Sequence, residues 1–269
     1  MSYSAFVSTT QPNTIKQFFN CIKEQATDIN MFFNPDCIEI LEMDNTQSAS
    51  IYAILYKEQF EKFECKSQQK VGINVKEVSK ILKNIDSSGL LSIYIDKTIG
   101  KVERLIFTVD NESESERTTY NLKLLDLDIC TSISKRNLDA DYRLHIDMPS
   151  STLQSIISKL RFVSDDSGAI RINYSKNKLC FFVSGDKGDA EHIIDITTDN
   201  REITVYDSSG NKDSIIEVLV KLSKLVDFIK CSSMSKNVSL YIKNHDMLYL
   251  KYDINGLGEI QLGLSPKIE

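Results

Sequence analysis

The chain has 269 residues, a net charge of −6 and 41% hydrophobic residues, which suits one large domain or two of ordinary size. Ten glycines and four prolines are too few for a collagen-like or low-complexity chain. No apolar run approaches the roughly 18 residues of a membrane span, and the N-terminus lacks the charged and apolar regions of a secretory signal. We therefore expect a soluble intracellular protein with no membrane association.

The cysteines are widely and irregularly spaced, and no two form a CxxC pair. A disulfide scaffold or a zinc site would need closer spacing. The pattern favours free thiols in a reducing compartment. The six are Cys21, Cys37, Cys65, Cys130, Cys180 and Cys231.

Most of the chain has the pattern of short β-strands rich in Ile, Leu, Val, Tyr and Phe, separated by polar turns. Dense strands with short turns indicate antiparallel sheets. The predicted strands are residues 37–43, 49–56, 90–95, 105–109, 169–174, 179–183, 192–196, 238–242 and 247–252.

Four segments instead repeat their apolar residues with a helical period: residues 14–24, 75–83, 150–161 and 221–230. Their predicted apolar stripes are Ile15, Phe18, Phe19 and Ile22; Val75, Val78 and Leu82 with Ile81; Leu153, Ile156, Ile157 and Leu160; and Leu222, Leu225, Val226 and Ile229. Asn13 is the predicted cap of the first, and Asn74 with Glu77 forms a capping-box pattern at the second. Pro149 and Ser150 open the third. The fourth helix has no recognisable cap.

These helices come in pairs, which indicates an internal duplication. The order strand, helix, several strands, helix, several strands occurs twice along the chain. We predict an α+β fold of two similar domains, residues 1–124 and 142–269. The mostly polar residues 125–141 form the predicted extended linker.

Positive charge is concentrated on the four helices. They carry ten basic and three acidic residues, a net charge of +7, so the rest of the chain carries −13. On one helix a solvated lysine face would be the ordinary explanation, but four such helices on an acidic protein favour sequence-independent binding to DNA phosphates. The ten are Lys16, Lys23, Lys76, Lys80, Lys83, Lys159, Arg161, Lys221, Lys224 and Lys230.

Several segments together resemble the sliding DNA clamps of the proliferating cell nuclear antigen family. They are ILEMDNTQ (40–47), FECKSQQKVGINVKEVSKILK (63–83), YNLKLLDLDI (120–129), MPSSTLQSIISKL (148–160), FFVSGDKGDAEHI (181–193) and LSPKIE (264–269). They occur in the family's order and cover the whole chain.

The resemblance implies a closed ring, commonly a homotrimer, around duplex DNA. Two helices of each domain would line the inner face, and antiparallel sheets would lie outside. Such a clamp needs no cofactor and has no enzymatic activity. It tethers DNA polymerase and other proteins with clamp-binding motifs, and an ATP-dependent clamp loader places it on DNA. We therefore expect it in the nucleus or at a site of viral DNA replication.

The resemblance also assigns individual residues. Lys16, Lys23, Lys80, Lys83 and Lys230 match inward basic positions of the family. Two further inward basic positions on the third helix are Ser155 and Ser158 here. The lining is thus expected to be basic but rearranged.

A peptide groove is implied beneath the linker. The matching residues are Met43, Gln47, Leu125, Leu127, Ile129, Ile133, Met247, Leu264, Ser265, Pro266, Lys267 and Ile268. Gln47, Ser48 and Ser50 are polar departures, and Gly263 replaces a usual aromatic residue. We expect a groove with an altered peptide preference or a weaker affinity.

Subunit contacts are implied between residues 117–123 of one chain and residues 191–197 of the next. Exposed strand edges invite pairing, and a closed ring uses them. The candidate apolar contacts are Tyr120, Leu122, Ile157 and Ile193.

Other classes of function have weaker support. His145, His192 and His245 are too scattered for a metal or general-base site, and no metal site is predicted. Residues 185–188 contain two glycines but lack the spacing of a phosphate loop and indicate a hairpin turn. A checkpoint-type subunit of a heteromeric ring remains an alternative, as does a monomeric or dimeric viral processivity factor.

Overall fold

The computed structural model of the chain describes residues 3–44, 46–85, 89–98, 101–111, 115–130, 137–164, 168–197, 202–207 and 215–267. Two residues of the implied peptide groove, Ile133 and Ile268, lie outside these ranges. No helix among the described residues is long and apolar enough to cross a membrane.

The chain divides into two compact units whose boundaries are not contiguous in sequence. Unit 1 comprises Met1–Met43, Ile51–Ser134 and Ile254–Ile260, and unit 2 comprises Asp44–Ser50, Lys135–Asp253 and Gln261–Glu269. The expected domains, 1–124 and 142–269, therefore differ from the units by the two short segments 44–50 and 254–260, and the expected linker 125–141 is divided between the units after residue 134. Backbone pairing explains one of them, since Tyr56 N donates to Leu257 O at 3.0 Å within unit 1.

The first half of the chain contains nine strands and two α-helices among its described residues. They are β1 (Tyr3–Thr9), α1 (Pro12–Ile22), β2 (Asp28–Phe33), β3 (Cys37–Met43), β4 (Ala49–Tyr56), β5 (Lys62–Cys65), β6 (Gln69–Asn74), α2 (Val75–Lys83), β7 (Leu90–Thr98), β8 (Lys101–Asn111) and β9 (Glu116–Lys123). Unit 1 has one sheet in the order β5-β1-β7-β8-β9, and its other strands are ordered β4-β3-β2-β6.

The second half repeats this order after one extra helical turn. Its elements are α3 (Leu138–Asp141), β10 (Leu144–Pro149), α4 (Ser150–Leu160), β11 (Ala169–Ser175), β12 (Lys178–Gly185), β13 (Gly188–Asp195), β14 (Thr204–Asp207), β15 (Ile216–Lys221), α5 (Leu222–Phe228), β16 (Asn237–Ile242), β17 (Leu248–Asp253) and β18 (Gly258–Leu264). Unit 2 has a sheet in the order β13-β12-β11-β15, and β14, β10, β16 and β17 are neighbours in that order.

Strand pairing confirms the predicted duplication. In unit 1, β1 pairs with β5 and β7, and β2 pairs with β3 and β6. In unit 2, β10 pairs with β14 and β16, and β11 pairs with β12 and β15. All these pairs are antiparallel, as the short turns indicate. The α+β prediction with two helices per domain is therefore confirmed.

The apolar stripes of the helices form the core of each unit. In α1 the predicted stripe of Ile15, Phe18, Phe19 and Ile22 is buried, and in α2 Val75, Val78 and Leu82 are buried. Burying each such side chain contributes roughly 1.5–3 kcal/mol relative to exposure. The opposite faces of these helices are therefore left to polar residues.

Helix α4 follows its predicted stripe, whereas α5 departs from it. In α4, Leu153, Ile156, Ile157 and Leu160 are buried. In α5, Leu222 and Leu225 are buried, but Phe228 takes the place predicted for the half-buried Val226. Ile229, the last residue of the predicted stripe, is buried as expected and begins a 3₁₀ turn over Ile229–Ser233 that continues the helix.

The helix starts were predicted with mixed success. The side chain of Asn74 accepts a hydrogen bond from Glu77 N at 3.1 Å, which confirms the cap of α2. Asn13 does not cap α1, because α1 begins at Pro12 and Gln11 occupies the cap position. Proline favours the first helical position because its missing N–H would be unpaired there anyway.

Two further expectations were wrong in part. The predicted extended linker ends in a helical turn, α3, where Leu138 packs in a cluster with Tyr142, Tyr241 and Tyr249. Four cysteines are free thiols, but Cys21 and Cys231 are disulfide-bonded.

Candidate functional surfaces

In unit 1 the predicted cations lie on the polar faces of α1 and α2. Lys76, Lys80 and Lys83 are exposed, while Lys16 and Lys23 are half-buried. Lys16 Nζ donates to Lys83 O at 3.4 Å, at the C-terminal end of α2, where cations interact favourably with the helix dipole. Lys80 Nζ lies 2.8 Å from Glu77 Oε1, but its side chain remains 72% exposed. The face is open to an anionic partner.

In unit 2 three predicted cations surround one cavity of about 400 Å³. Arg161, Lys221 and Lys230 line it together with Ser164 and Asp227. Lys230 Nζ lies 2.9 Å from Asp227 Oδ1, so one of the three charges is partly compensated. The cavity remains cationic and has the polar groups that hold phosphate oxygens.

Within the described ranges, seven of the ten predicted cations form no ion pair. These are Lys16, Lys23, Lys76, Lys83, Lys159, Arg161 and Lys221. Ser155 and Ser158, the expected departures from a basic lining, are exposed on α4 beside Lys159. The basic character of α4 thus shifts towards its C-terminal end.

Lys224 differs from the other cations. Its Nζ lies 2.8 Å from Asp44 Oδ2, and the two side chains are only 25% and 6% exposed. Burial would raise the pKa of the Asp44 carboxyl, but hydrogen bonds from Lys224, Thr46 and the amides of Ala49 and Ser48 hold that pKa well below its usual range. Sequence reasoning missed this pair because the two residues are far apart in the chain.

The unit 1 part of the implied groove is built on the interdomain linker. Leu125 N donates to Gly72 O at 2.8 Å, Lys70 Nζ donates to Leu127 O at 2.6 Å, and Asn30 Nδ2 donates to Asp128 O at 2.8 Å. The linker is thus held along β6 and β2. Leu125 and Ile129 are exposed, and Leu127 and Met43 are half-buried.

The unit 2 part of the groove contains Gln47, Met247 and the tail after β18. Ser265 N donates to Ser48 O at 2.9 Å, and Lys267 N donates to Leu219 O at 2.7 Å. Leu264 is fully buried, so it supports the tail from beneath and does not line an open wall. Pro266 and Lys267 border a cavity of about 640 Å³.

Gly263, where we expected a departure from the family, has a local explanation. A Cβ at Gly263 would meet Ser50 Oγ, the ring of Tyr249 and Met247 Cε. The space beside residue 263 is therefore already filled by its neighbours in unit 2. The polar departure at Ser50 and the glycine are parts of one packing arrangement.

The two predicted assembly strands lie at sheet edges. β9 is the last strand of its sheet in unit 1, and β13 is the first of its sheet in unit 2. Tyr120 and Leu122 of β9 are half-buried. The outward face of β13 carries Asp189, Glu191 and Asp195. β9 carries Lys123 and Arg117, of which Arg117 is ion-paired to Asp110 of β8, and it has Glu116 at its first position. Opposite charges across an antiparallel pair are stabilising.

Two candidate contact residues have different environments. Ile193 on β13 is 49% exposed and available to a partner, but Ile157 on α4 is 0% exposed. The prediction that Ile157 forms an apolar contact on the subunit surface was therefore wrong, since Ile157 belongs to the core stripe of α4.

Sequence reasoning also missed Phe162, which is 77% exposed next to Arg161. The ring of Phe162 lies 5.8 Å from Lys187 Nζ, in the hairpin before β13.

The residues considered for other chemistry have structural roles. His145 on β10 stacks on Tyr206 and Tyr241, with ring centroids 4.3 and 5.2 Å away. His245 occupies a turn with φ of 59°. Gly185 pairs with Gly188 across a two-residue turn, which confirms the predicted hairpin.

Comparison with known proteins agrees with this architecture. The family descriptions "Proliferating cell nuclear antigen, N-terminal domain" and "C-terminal domain" match residues 7–132 and 136–267. The chain is 27% identical over 265 residues to a probable DNA polymerase sliding clamp of Paramecium bursaria Chlorella virus 1, covering 97% of this chain and 95% of that protein.

Two cellular relatives match over the same length. The proliferating cell nuclear antigen of Dictyostelium discoideum is 27% identical over 264 residues, covering 96% of this chain and 97% of the relative. That of Chaetomium thermophilum is 25% identical over 266 residues, covering 96% of each. With both family domains matched in order, the chain belongs to the proliferating cell nuclear antigen family of sliding clamps.

Proposed function

We propose that this clamp is one subunit of a homotrimeric ring that encircles duplex DNA and tethers DNA polymerase. The observation that carries this proposal is the duplicated pair of cationic helices. Both units present lysine or arginine on the polar faces of their helices, and seven of these cations form no ion pair among the described residues. Phosphate contacts from such residues depend on salt and do not read sequence.

The free strand edges support self-association as the route to a ring. β9 and β13 are each eight residues long and each ends a sheet. An antiparallel pair of β9 with β13 of a neighbouring subunit would place Lys123 and Arg117 against the acidic face of β13. Such pairing continues around a ring only if each chain offers both edges, which this chain does.

The linker and the C-terminal tail support the proposal of a peptide groove for polymerases and other clamp-binding proteins. Exposed Leu125 and Ile129 offer apolar contact on the linker. The tail offers backbone groups beside the half-buried Met247. An extended peptide binds through apolar contacts of the kind that the linker offers and backbone hydrogen bonds of the kind that the tail offers.

A clamp of this kind acts by topology and not by catalysis, and it requires an ATP-dependent loader to open the ring. We place it where DNA is replicated, in a nucleus or at a viral replication site. Its function is binding and needs no cofactor.

Retention on circular DNA tests the proposal. The clamp is loaded onto a nicked circular plasmid with its ATP-dependent loader and separated from free protein by gel filtration. A ring stays on the circle and slides off after the plasmid is cut once with a restriction enzyme. Equal retention on linear and circular DNA would contradict encirclement, since a protein that binds DNA directly is insensitive to topology.

A further inference from the structure

The ion pair between α5 and the turn after β3 separates Lys224 from the other helix cations. Lys224 Nζ contacts Asp44 Oδ2 at 2.8 Å and its side chain is 25% exposed, whereas the side chain of Lys80 is 72% exposed. To reach a DNA phosphate, Lys224 would have to leave a carboxylate that is only 6% exposed. A buried charge that loses its partner is strongly unfavourable.

Asp44 organises the turn that follows it. Its Oδ1 accepts from Ser48 N at 2.7 Å and Ala49 N at 2.9 Å, and its Oδ2 accepts from Thr46 Oγ1 at 2.7 Å. The backbone closes the same turn, with Gln47 N donating to Asp44 O at 2.9 Å. Gln47 has φ of 55°, a conformation that non-glycine residues adopt at a cost and that surrounding contacts must hold.

This turn supports the tail of unit 2. Ser48 O accepts from Ser265 N at 2.9 Å, and Gln47 O accepts from Ser265 Oγ at 3.5 Å. Ser265, Gln47 and Met247 belong to the unit 2 part of the proposed peptide groove. A continuous set of contacts therefore runs from Lys224 on a basic helix, through Asp44 and Ser48, to the tail.

We propose that Lys224 is a positioning residue for the peptide groove and not a DNA-binding cation. Its charge holds the Asp44 carboxylate, and the carboxylate fixes the turn that supports Ser265. This inference rests on the proposed function, because it assigns one of the helix cations to the partner-binding site of the same clamp.

Two variants separate the role of the charge from that of side-chain bulk. Lys224→Met keeps the length of the side chain and removes the charge, and Lys224→Arg restores a cation. The probe is a fluorescent synthetic peptide that carries a glutamine, a leucine and two phenylalanines. We expect Lys224→Met to weaken peptide binding by about fivefold or more, and Lys224→Arg to recover most of it. Lys221→Ala is the matched control at the cap position just before the same helix and should leave peptide affinity unchanged.

Duplex DNA binding tests the second part of the inference, that Lys224 does not contact DNA. The salt dependence of duplex binding should be the same in Lys224→Met and the wild type, whereas Lys221→Ala should lower the slope by about 0.9. If Lys224→Met lowers the slope like Lys221→Ala and leaves peptide affinity intact, Lys224 is a DNA-binding residue and the inference is wrong. Unchanged values in both assays would also overturn it.

Amide hydrogen exchange tests the role of Lys224 independently of whether the clamp binds a peptide. Ser48, Ala49 and Ser265 should exchange faster in Lys224→Met, while the amides of β16 should keep their protection. If the wild type binds no peptide, the proposed groove fails, yet the exchange of these three amides still decides whether Lys224 holds the turn. Unchanged exchange would overturn the positioning role.

Discussion

The amide of Leu125 donates a 2.8 Å hydrogen bond to the carbonyl of Gly72, which joins the linker to strand β6 within unit 1. A Cβ at residue 72 would meet the carbonyl oxygen of Leu125 and the side chain of Leu127. The absence of a side chain at this position is therefore what lets the linker lie against the strand. Lys70 reinforces the contact through the carbonyl of Leu127.

A side chain at residue 72 should displace the linker from strand β6. We expect Gly72→Val to displace residues 125–128 and to speed hydrogen exchange at Leu125, with a loss of about 1–3 kcal/mol in the free energy of unfolding. Lys70→Met should loosen the same segment more mildly, because it removes the 2.6 Å hydrogen bond to Leu127 O. Lys66→Met, an exposed lysine nearby, is the control. Protection of Leu125 that survives Gly72→Val would show that the strand contact does not hold the linker.

The unpaired cations should dominate DNA binding. The double variant Arg161→Ala/Lys221→Ala removes two cations from one cavity of unit 2. We expect the slope of log K against log salt to fall by about 1.8, from two lost phosphate contacts at about 0.9 each. Fluorescence anisotropy with a labelled duplex over a salt series measures this. Lys57→Ala, outside the four helices, should leave the slope unchanged, and an equal effect of that control would argue against a defined cationic face.

The environments of Ile193 and Ile157 predict opposite defects. Ile193→Asp adds a charge at an exposed position of an acidic edge strand, so we expect it to weaken self-association without a change in urea stability beyond about 0.5 kcal/mol. Ile157→Ala empties a core position and should cost about 2–5 kcal/mol of stability. Sedimentation and urea unfolding of both variants test this. If the Ile157→Ala protein is stable but fails to self-associate, Ile157 is an interface residue and the core assignment is wrong.

The depressed pKa of Asp44 predicts a pH-dependent contribution to stability. A carboxyl whose pKa is lower in the folded state stabilises the protein above its unfolded pKa of about 3.9, and loses that effect as the pH falls towards the folded value. The stability difference between wild type and Asp44→Asn should therefore be constant from about pH 8 to pH 5 and shrink below about pH 4. A difference that persists unchanged in acid would show that hydrogen bonding without charge holds the turn.

The helices were predictable because their apolar period is rare in a chain made mostly of strands. Val75, Val78 and Leu82, with Asn74 as the cap, gave both ends of α2 as the structure has them. The later part of α5 was not predictable in the same way. Phe228 follows Leu225 by three residues and therefore shares its buried face, whereas the prediction chose Val226, and both positions fit a helical period.

Residue types located the cationic helix faces in the sequence but not the role of each side chain on them. A lysine on a helix face looks the same in sequence whether it is free, like Lys221, or paired, like Lys224. The partner of Lys224 lies in a distant turn, and only the fold brings Asp44 to it. The burial of Ile157, in contrast, could have been predicted, since its place in the apolar stripe of α4 already indicated a core residue.

The mass of the clamp in solution tests the central proposal most directly. Light scattering on a sizing column over a concentration series should give about 92 kDa, three times the mass of the 30.6 kDa chain. That mass would agree with β9 and β13 pairing between identical subunits. A persistent species of about 31 kDa would contradict the homotrimer, and the chain would then act as a monomeric processivity factor or as one member of a mixed ring.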